Sequence, residues 1–147
     1  RRSFETLIVT NGGFSLGGSF ESYEDLPSFS DHDGPDLVVM DLGLPGMDGV
    51  EATRDLCRKY PGLPVVVLTL VDRAESVFDA LRAGASGYLV KGSRPDQIFR
   101  ALQEAAEGGT YFTPAIARHV FRFFSSPGPE QPLSEREIDI LRGLSEG

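Results

Sequence analysis

The chain has 147 residues, enough for one domain of ordinary size plus a small appendage, with a formal net charge of −8 and a pI near 4.7. Such an acidic balance repels nucleic acid, which argues against strong DNA binding by these residues alone. Cys57 stands alone, which excludes a disulfide framework or a cysteine metal cluster and fits a reducing cytoplasm, and neither a membrane-spanning run nor a signal-peptide pattern is present.

In chain order, the first apolar run, Leu7-Ile8-Val9-Thr10, is strand-like by propensity. The run Leu37-Val38-Val39-Met40 ends on Asp41 and opens a Gly/Pro-rich loop, Leu-Gly-Leu-Pro-Gly-Met-Asp-Gly. Residues 48 to 60 carry Val50, Ala52, Leu56 and Cys57 at helical spacing, and Pro61-Gly62 ends the run. Pro64-Val65-Val66-Val67-Leu68 then leads into Thr69. Residues 72 to 84 set Ala74, Val77, Phe78 and Leu81 on one helical face, with Gly84 as the stop. Gly87-Tyr88-Leu89-Val90 leads into Lys91, and residues 94 to 108 repeat the helical theme with Ile98, Phe99, Leu102 and Ala105 behind Pro95.

Alternation of this kind predicts a doubly wound α/β domain with a parallel sheet. Asp41, Thr69 and Lys91 close successive strands at spacings of 28 and 22 residues, so the three side chains converge on the sheet edge where such folds do chemistry. Residues 113 to 124 read as a short amphipathic helix capped by Thr113 and opened by Pro114, and 125 to 132 as a flexible linker. Beyond it, Ser134 and Glu137 form a capping box ahead of Ile138, Leu141 and Leu144.

PDLVVMDLGLPGMDG, VVVLT and GYLVK together resemble the receiver domain of bacterial two-component response regulators. The segment 133 to 147 resembles the opening helix of a LuxR-type helix-turn-helix domain, as in the NarL/FixJ subfamily. The resemblance implies a five-stranded, flavodoxin-like sheet of order 2-1-3-4-5 over residues 1–112, a linker helix over 113–124, a linker over 125–132 and an incomplete DNA-binding domain over 133–147. Arg1 in place of Met and the interrupted final motif lead to the expectation that a longer protein is cut at both ends.

Receivers of this kind open with a strand ending in two acidic residues that help to bind Mg2+, and no such pair precedes Asp41 in a suitable place. Two readings follow. In one, Leu7-Ile8-Val9 is that strand, and Thr10 and Asn11 replace the acidic pair. In the other, residues 1 to 9 end the first helix, Phe14-Ser15-Leu16 opens the second strand, and Tyr23 to Phe29 lies on the second helix. The second keeps the family spacing without a gap and leaves the chain without its first strand; local propensity favours the first reading.

The resemblance makes Asp41 the phosphoacceptor, with Lys91 and Thr69 as ligands of the phosphoryl oxygens and Tyr88 as the aromatic that turns inward when Thr69 moves. Mg2+ would be held by Asp41 and the backbone carbonyl of Gly43, weakly if the acidic pair is absent. Singly, these residues have ordinary readings, as a loop-capping aspartate, a solvated lysine, a strand threonine and a half-buried tyrosine; their joint spacing decides for the functional one. Asp48 is expected to cap the following helix, His32 and His119 to be surface or packing residues, and Phe121, Phe123 and Phe124 to pack the linker helix or a partner.

The function implied is a cytoplasmic transcriptional response regulator. It would be phosphorylated by a sensor histidine kinase, work as a homodimer and bind DNA through a recognition helix beyond Gly147, with no membrane association. The alternative is an atypical receiver that binds a ligand or protein without phosphate. A haloacid-dehalogenase-like phosphohydrolase would place an aspartate where Gly43 stands, and no glycine-rich nucleotide loop follows a first strand.

Overall fold

A computed structural model describes residues 2–10, 13–30, 32–43, 45–70 and 74–125. Between helix α1 (Arg2–Thr10) and the first strand, the described residues form no strand and hold one 3-10 turn, Tyr23–Asp25. Strand β1 (Val38–Met40), α2 (Gly49–Lys59), β2 (Val65–Thr69), α3 (Ala74–Ala83), β3 (Gly87–Val90), α4 (Pro95–Ala106), β4 (Tyr111–Phe112) and α5 (Pro114–Ser125) complete the order. The strands form one parallel sheet in the order β1-β2-β3-β4, with Met40 opposite Val67, Thr69 opposite Val90 and Tyr88 opposite Phe112. The doubly wound α/β class expected from the alternation is the one observed.

Helices cover both faces of this sheet, which is why β2 reads as a continuous apolar run instead of an alternating one. Val65, Val67 and Tyr88 face α2, α3 and α5 and bury with Leu56, Leu81, Ile116 and Val120. Val66, Leu68 and Leu89 face the other way, against Ile8 of α1 and Ile98, Leu102 and Ala105 of α4. The helix expected as a linker thus contributes two residues, Ile116 and Val120, to the core.

Around the N-terminus the structure decides between the two readings. Leu7-Ile8-Val9 is helical, not a strand: Ile8 is buried against α4 while the next residue, Val9, is exposed, and tertiary packing of the helix overrides local β propensity. Thr10 ends that helix with its hydroxyl donating to the Thr6 carbonyl at 2.8 Å, so it is not one of an acidic pair's stand-ins at the sheet edge. Asn11 lies outside the described residues.

The second reading needs correction in turn. Phe14-Ser15-Leu16 forms no strand; among the described residues β1 pairs only with β2, so the neighbour this segment would need is not there, and Phe14 instead stacks on Phe99 of α4 at 6.2 Å. The helix expected over Tyr23 to Phe29 stops after the 3-10 turn, because Pro27 disfavours helical backbone at the residue before it and Leu26 is extended (φ −71°, ψ 119°). Strand β4 was not foreseen. The expected linker after Ser125 and the helix-turn-helix segment at 133–147 lie outside the described residues.

Candidate functional site

Parallel alignment brings the C-terminal ends of β1, β2 and β3 to one edge, and each end delivers one polar side chain. Asp41 follows β1, Thr69 is the last residue of β2, and Lys91 follows β3. The backbone ladder continues past the strands, with the Lys91 N–H donating to the Thr69 carbonyl at 2.6 Å. This fixes the lysine stem beside β2 and lets its ammonium reach across to β1. Lys91 Nζ donates to Asp41 Oδ2 at 2.5 Å, and the Gly43 N–H donates to Asp41 Oδ1 at 2.9 Å. Both side chains of the ion pair keep 35 % of their surface in solvent. Thr69 is buried at 2 % exposure. An open cleft of about 480 Å³ lies over these groups.

The carboxylate is therefore accessible, oriented by a backbone donor and paired with a cation. Such a constellation accepts an electrophile: the carboxylate oxygen attacks, and the displaced ammonium meets the incoming negative charge.

Tyr88 sits two residues before Val90, which pairs with Thr69, so Thr69 and Tyr88 share one face of the sheet. Tyr88 is fully buried, the inward position of an aromatic at this register. Asp48 caps α2, its carboxylate accepting the Val50 N–H at 2.7 Å, and also lines the cleft. His32 is exposed and away from the cleft, with its N–H donating to Ser30 Oγ. Phe121 is 46 % exposed. The side chains of His119, Phe123 and Phe124 are not among the described ones.

Several residues of the site were not legible in advance. Ser76 and Asp79 of α3 form the far wall of the cleft, one helical turn apart. Gly49 is required by close packing: a Cβ there would lie 2.6 Å from the Asp41 carbonyl oxygen and 2.5 Å from Leu42 Cα. The Gly-Met-Asp-Gly string hinted at a turn, but the contact that makes its last glycine obligatory exists only in three dimensions.

Next to the loop, the 3-10 turn is tied to α2. The Tyr23 hydroxyl donates to the Asp55 carboxylate, which also meets Lys59 Nζ at 3.1 Å. Burial, and then this carboxylate, hold the Tyr23 phenol well above its usual range. The Tyr23 hydrogen bond, followed by Lys59, holds Asp55 below the ordinary carboxylate range.

Among the described residues the arrangement is incomplete as a metal site. Mg2+ demands six oxygen donors in near-octahedral geometry, with waters filling what carboxylates leave open. Among the described residues no group of three or more acidic, histidine or cysteine side chains is placed to hold a metal ion. Asp41 and the Gly43 carbonyl alone do not make a Mg2+ site. No described helix is long and apolar enough to cross a membrane.

The family model of the response regulator receiver domain matches residues 1–103. The response regulator GacA of Pseudomonas protegens is 36% identical over 143 residues, covering 95% of this chain and 67% of that protein. The transcriptional regulatory protein DegU of Brevibacillus brevis is 32% identical over 138 residues, covering 94% of this chain and 58% of the relative. The uncharacterized transcriptional regulatory protein YxjL of Bacillus subtilis is 29% identical, with all of this chain matched to 71% of its length. Among solved structures, a LuxR-family two-component response regulator from Aurantimonas sp. SI85-9A1 superposes with a TM-score of 0.77 at 27% identity, covering 85% of this chain and 89% of that one. The heme-sensing-system regulator ChrA superposes with a TM-score of 0.68 at 29% identity, covering 99% of this chain and 69% of that one.

Proposed function

Because the chain belongs to the response regulator receiver domain family, we propose that Asp41 is the phosphoacceptor of a two-component signalling module that controls transcription. The observation that carries this reading is the Asp41 carboxylate held between the Gly43 N–H and the Lys91 ammonium, at the strand edge where Thr69 also ends. A carboxylate oxygen of Asp41 attacks phosphorus, a P–O bond forms, and the bond from phosphorus to the donor breaks, with the electron pair leaving on the donor's histidine nitrogen or acetate oxygen. Lys91 exchanges its partner from carboxylate to phosphoryl oxygen, and the Thr69 hydroxyl donates to a second phosphoryl oxygen. Water later cleaves the acyl phosphate and restores Asp41.

The added charge biases a pre-existing equilibrium. Thr69 and Tyr88 share a sheet face with α3 and α5, so a shift of the threonine is felt by the tyrosine and by those helices. Under this reading a sensor histidine kinase is the donor, the active form is a homodimer in the cytoplasm, and a LuxR-type domain following the receiver reads DNA. The chain spans 58% to 71% of the length of the three relatives named above, so these partners belong to the proposal. Mg2+ would take Asp41 and the Gly43 carbonyl among its ligands only with donors beyond the described residues, and no step above is routed through it.

Incubation with acetyl phosphate and Mg2+ tests the reading. Intact mass should show one phosphoryl adduct on the wild type and none on Asp41→Ala. The lack of an acidic metal cluster among the described residues favours a second reading, a receiver that switches on a ligand or partner without phosphate. A folded wild type that takes no adduct would select that second reading.

A further inference from the structure

We propose that Glu24 is a positioning residue for Asp41, bracing the loop that links the phosphoacceptor to α2. Glu24 lies in the 3-10 turn, 17 residues before Asp41 in sequence, and nothing in the local pattern connects the two. In space its Oε1 accepts the Met47 N–H at 2.9 Å. The same carboxylate fills the space beside Gly46, whose φ is +80°: a Cβ on that residue would lie 2.9 and 3.0 Å from the two Glu24 oxygens. Gly46 thus serves the brace twice, by adopting left-handed backbone and by leaving room for the carboxylate.

A brace must itself be anchored, and this one is. Ser22 Oγ donates to Asp25 Oδ2 at 3.0 Å across the turn, and Tyr23 is tied to Asp55 in the middle of α2. Tyr23 and Leu26 pack on the core beside the sheet face that carries Tyr88. From Met47 the path to the site is short. Asp48 caps α2 through the Val50 N–H, and Gly49 sits against the Asp41 carbonyl and Leu42 with no space to spare. A loop fixed at Met47 and Gly49 holds the Asp41–Gly43 backbone, and with it the donor that orients Oδ1. Without the brace the carboxylate samples more orientations, and attack becomes slower because fewer of them are reactive.

This inference rests on Asp41 being the phosphoacceptor, and the experiment separates the two. Glu24→Ala should slow phosphorylation by acetyl phosphate about tenfold, the scale of one hydrogen bond to a charged acceptor, with the circular dichroism spectrum unchanged. Glu24→Gln keeps an oxygen acceptor for Met47 and should return to within about threefold of the wild-type rate. An alanine variant at the wild-type rate, or a glutamine variant as slow as alanine, would overturn the brace. If the wild type takes no phosphoryl group, the phosphoacceptor reading has failed and amide exchange alone judges the brace. Exchange about tenfold faster at both Met47 and Gly43 in Glu24→Ala, and restored in Glu24→Gln, upholds it. Faster exchange at Met47 alone, or at neither, rejects it.

Discussion

The strand that carries Asp41 and the strand that carries Thr69 differ sharply in how they are held. Val65, Val66 and Val67 of β2 have no exposure at all, and Leu68 and Thr69 have 8 % and 2 %. In β1 only Met40 is buried, while Val38 and Val39 are partly exposed and, among the described residues, one ladder, to β2, secures the strand. The proposed phosphoacceptor, Asp41, follows the less constrained strand, and the proposed responder, Thr69, ends the better-packed one. A nucleophile at the margin can be approached, whereas a responder set in the core passes a small displacement to the helices packed around it, since close-packed interiors transmit strain.

Core truncation should expose the contrast most strongly. Val66→Ala in β2, with no exposure, is expected to cost about 1.5–3 kcal/mol in urea unfolding, and the same change at its ladder partner Val39 in β1 about 1 kcal/mol or less. Equal losses at the two positions would break the comparison. Gly49→Ala comes next: its methyl would meet backbone atoms of Asp41 and Leu42, which cannot swing away, so a loss of about 1–3 kcal/mol is expected. The phosphorylation rate should fall with it.

Lys91→Ala should change stability by less than about 1 kcal/mol, because a pair this exposed to water is screened. Its effect belongs in the chemistry, read as slower adduct formation at nearly unchanged denaturation midpoint. The smallest effect concerns Asp55, whose pKa is lowered in the fold by Tyr23 and then Lys59. A depressed folded value means the carboxylate stabilises the fold above the ordinary carboxylate range, near pH 4, and loses that contribution as pH falls through the lowered value. Asp55→Asn should flatten the acid limb of the stability profile; an unchanged slope would show that the pair contributes nothing to it.

The site was legible to the extent that it follows from strand ends. Asp41, Thr69 and Lys91 stand immediately after apolar runs, so residue type and register alone bring them to one edge. Gly49, Ser76, Asp79 and Glu24 owe their places to packing between segments distant in sequence, which no local pattern encodes. The N-terminal segment failed for a related reason. Leu7-Ile8-Val9 suits a strand or a helix locally, and the contact of Ile8 with α4 decides it. Phe14-Ser15-Leu16 alternates like a strand, but alternation makes a strand only where a neighbour offers its backbone. Strand β4, two residues long, is too short for any periodicity to show.

The most direct test of the central claim is to trap the acyl phosphate with borohydride after acetyl phosphate treatment and map the reduced residue by peptide mass spectrometry. Conversion at position 41, in the peptide holding the start of the Leu-Gly-Leu-Pro-Gly loop, is the result expected. Conversion at Asp48 or Asp79 instead, or at no carboxylate of a folded sample, would contradict it.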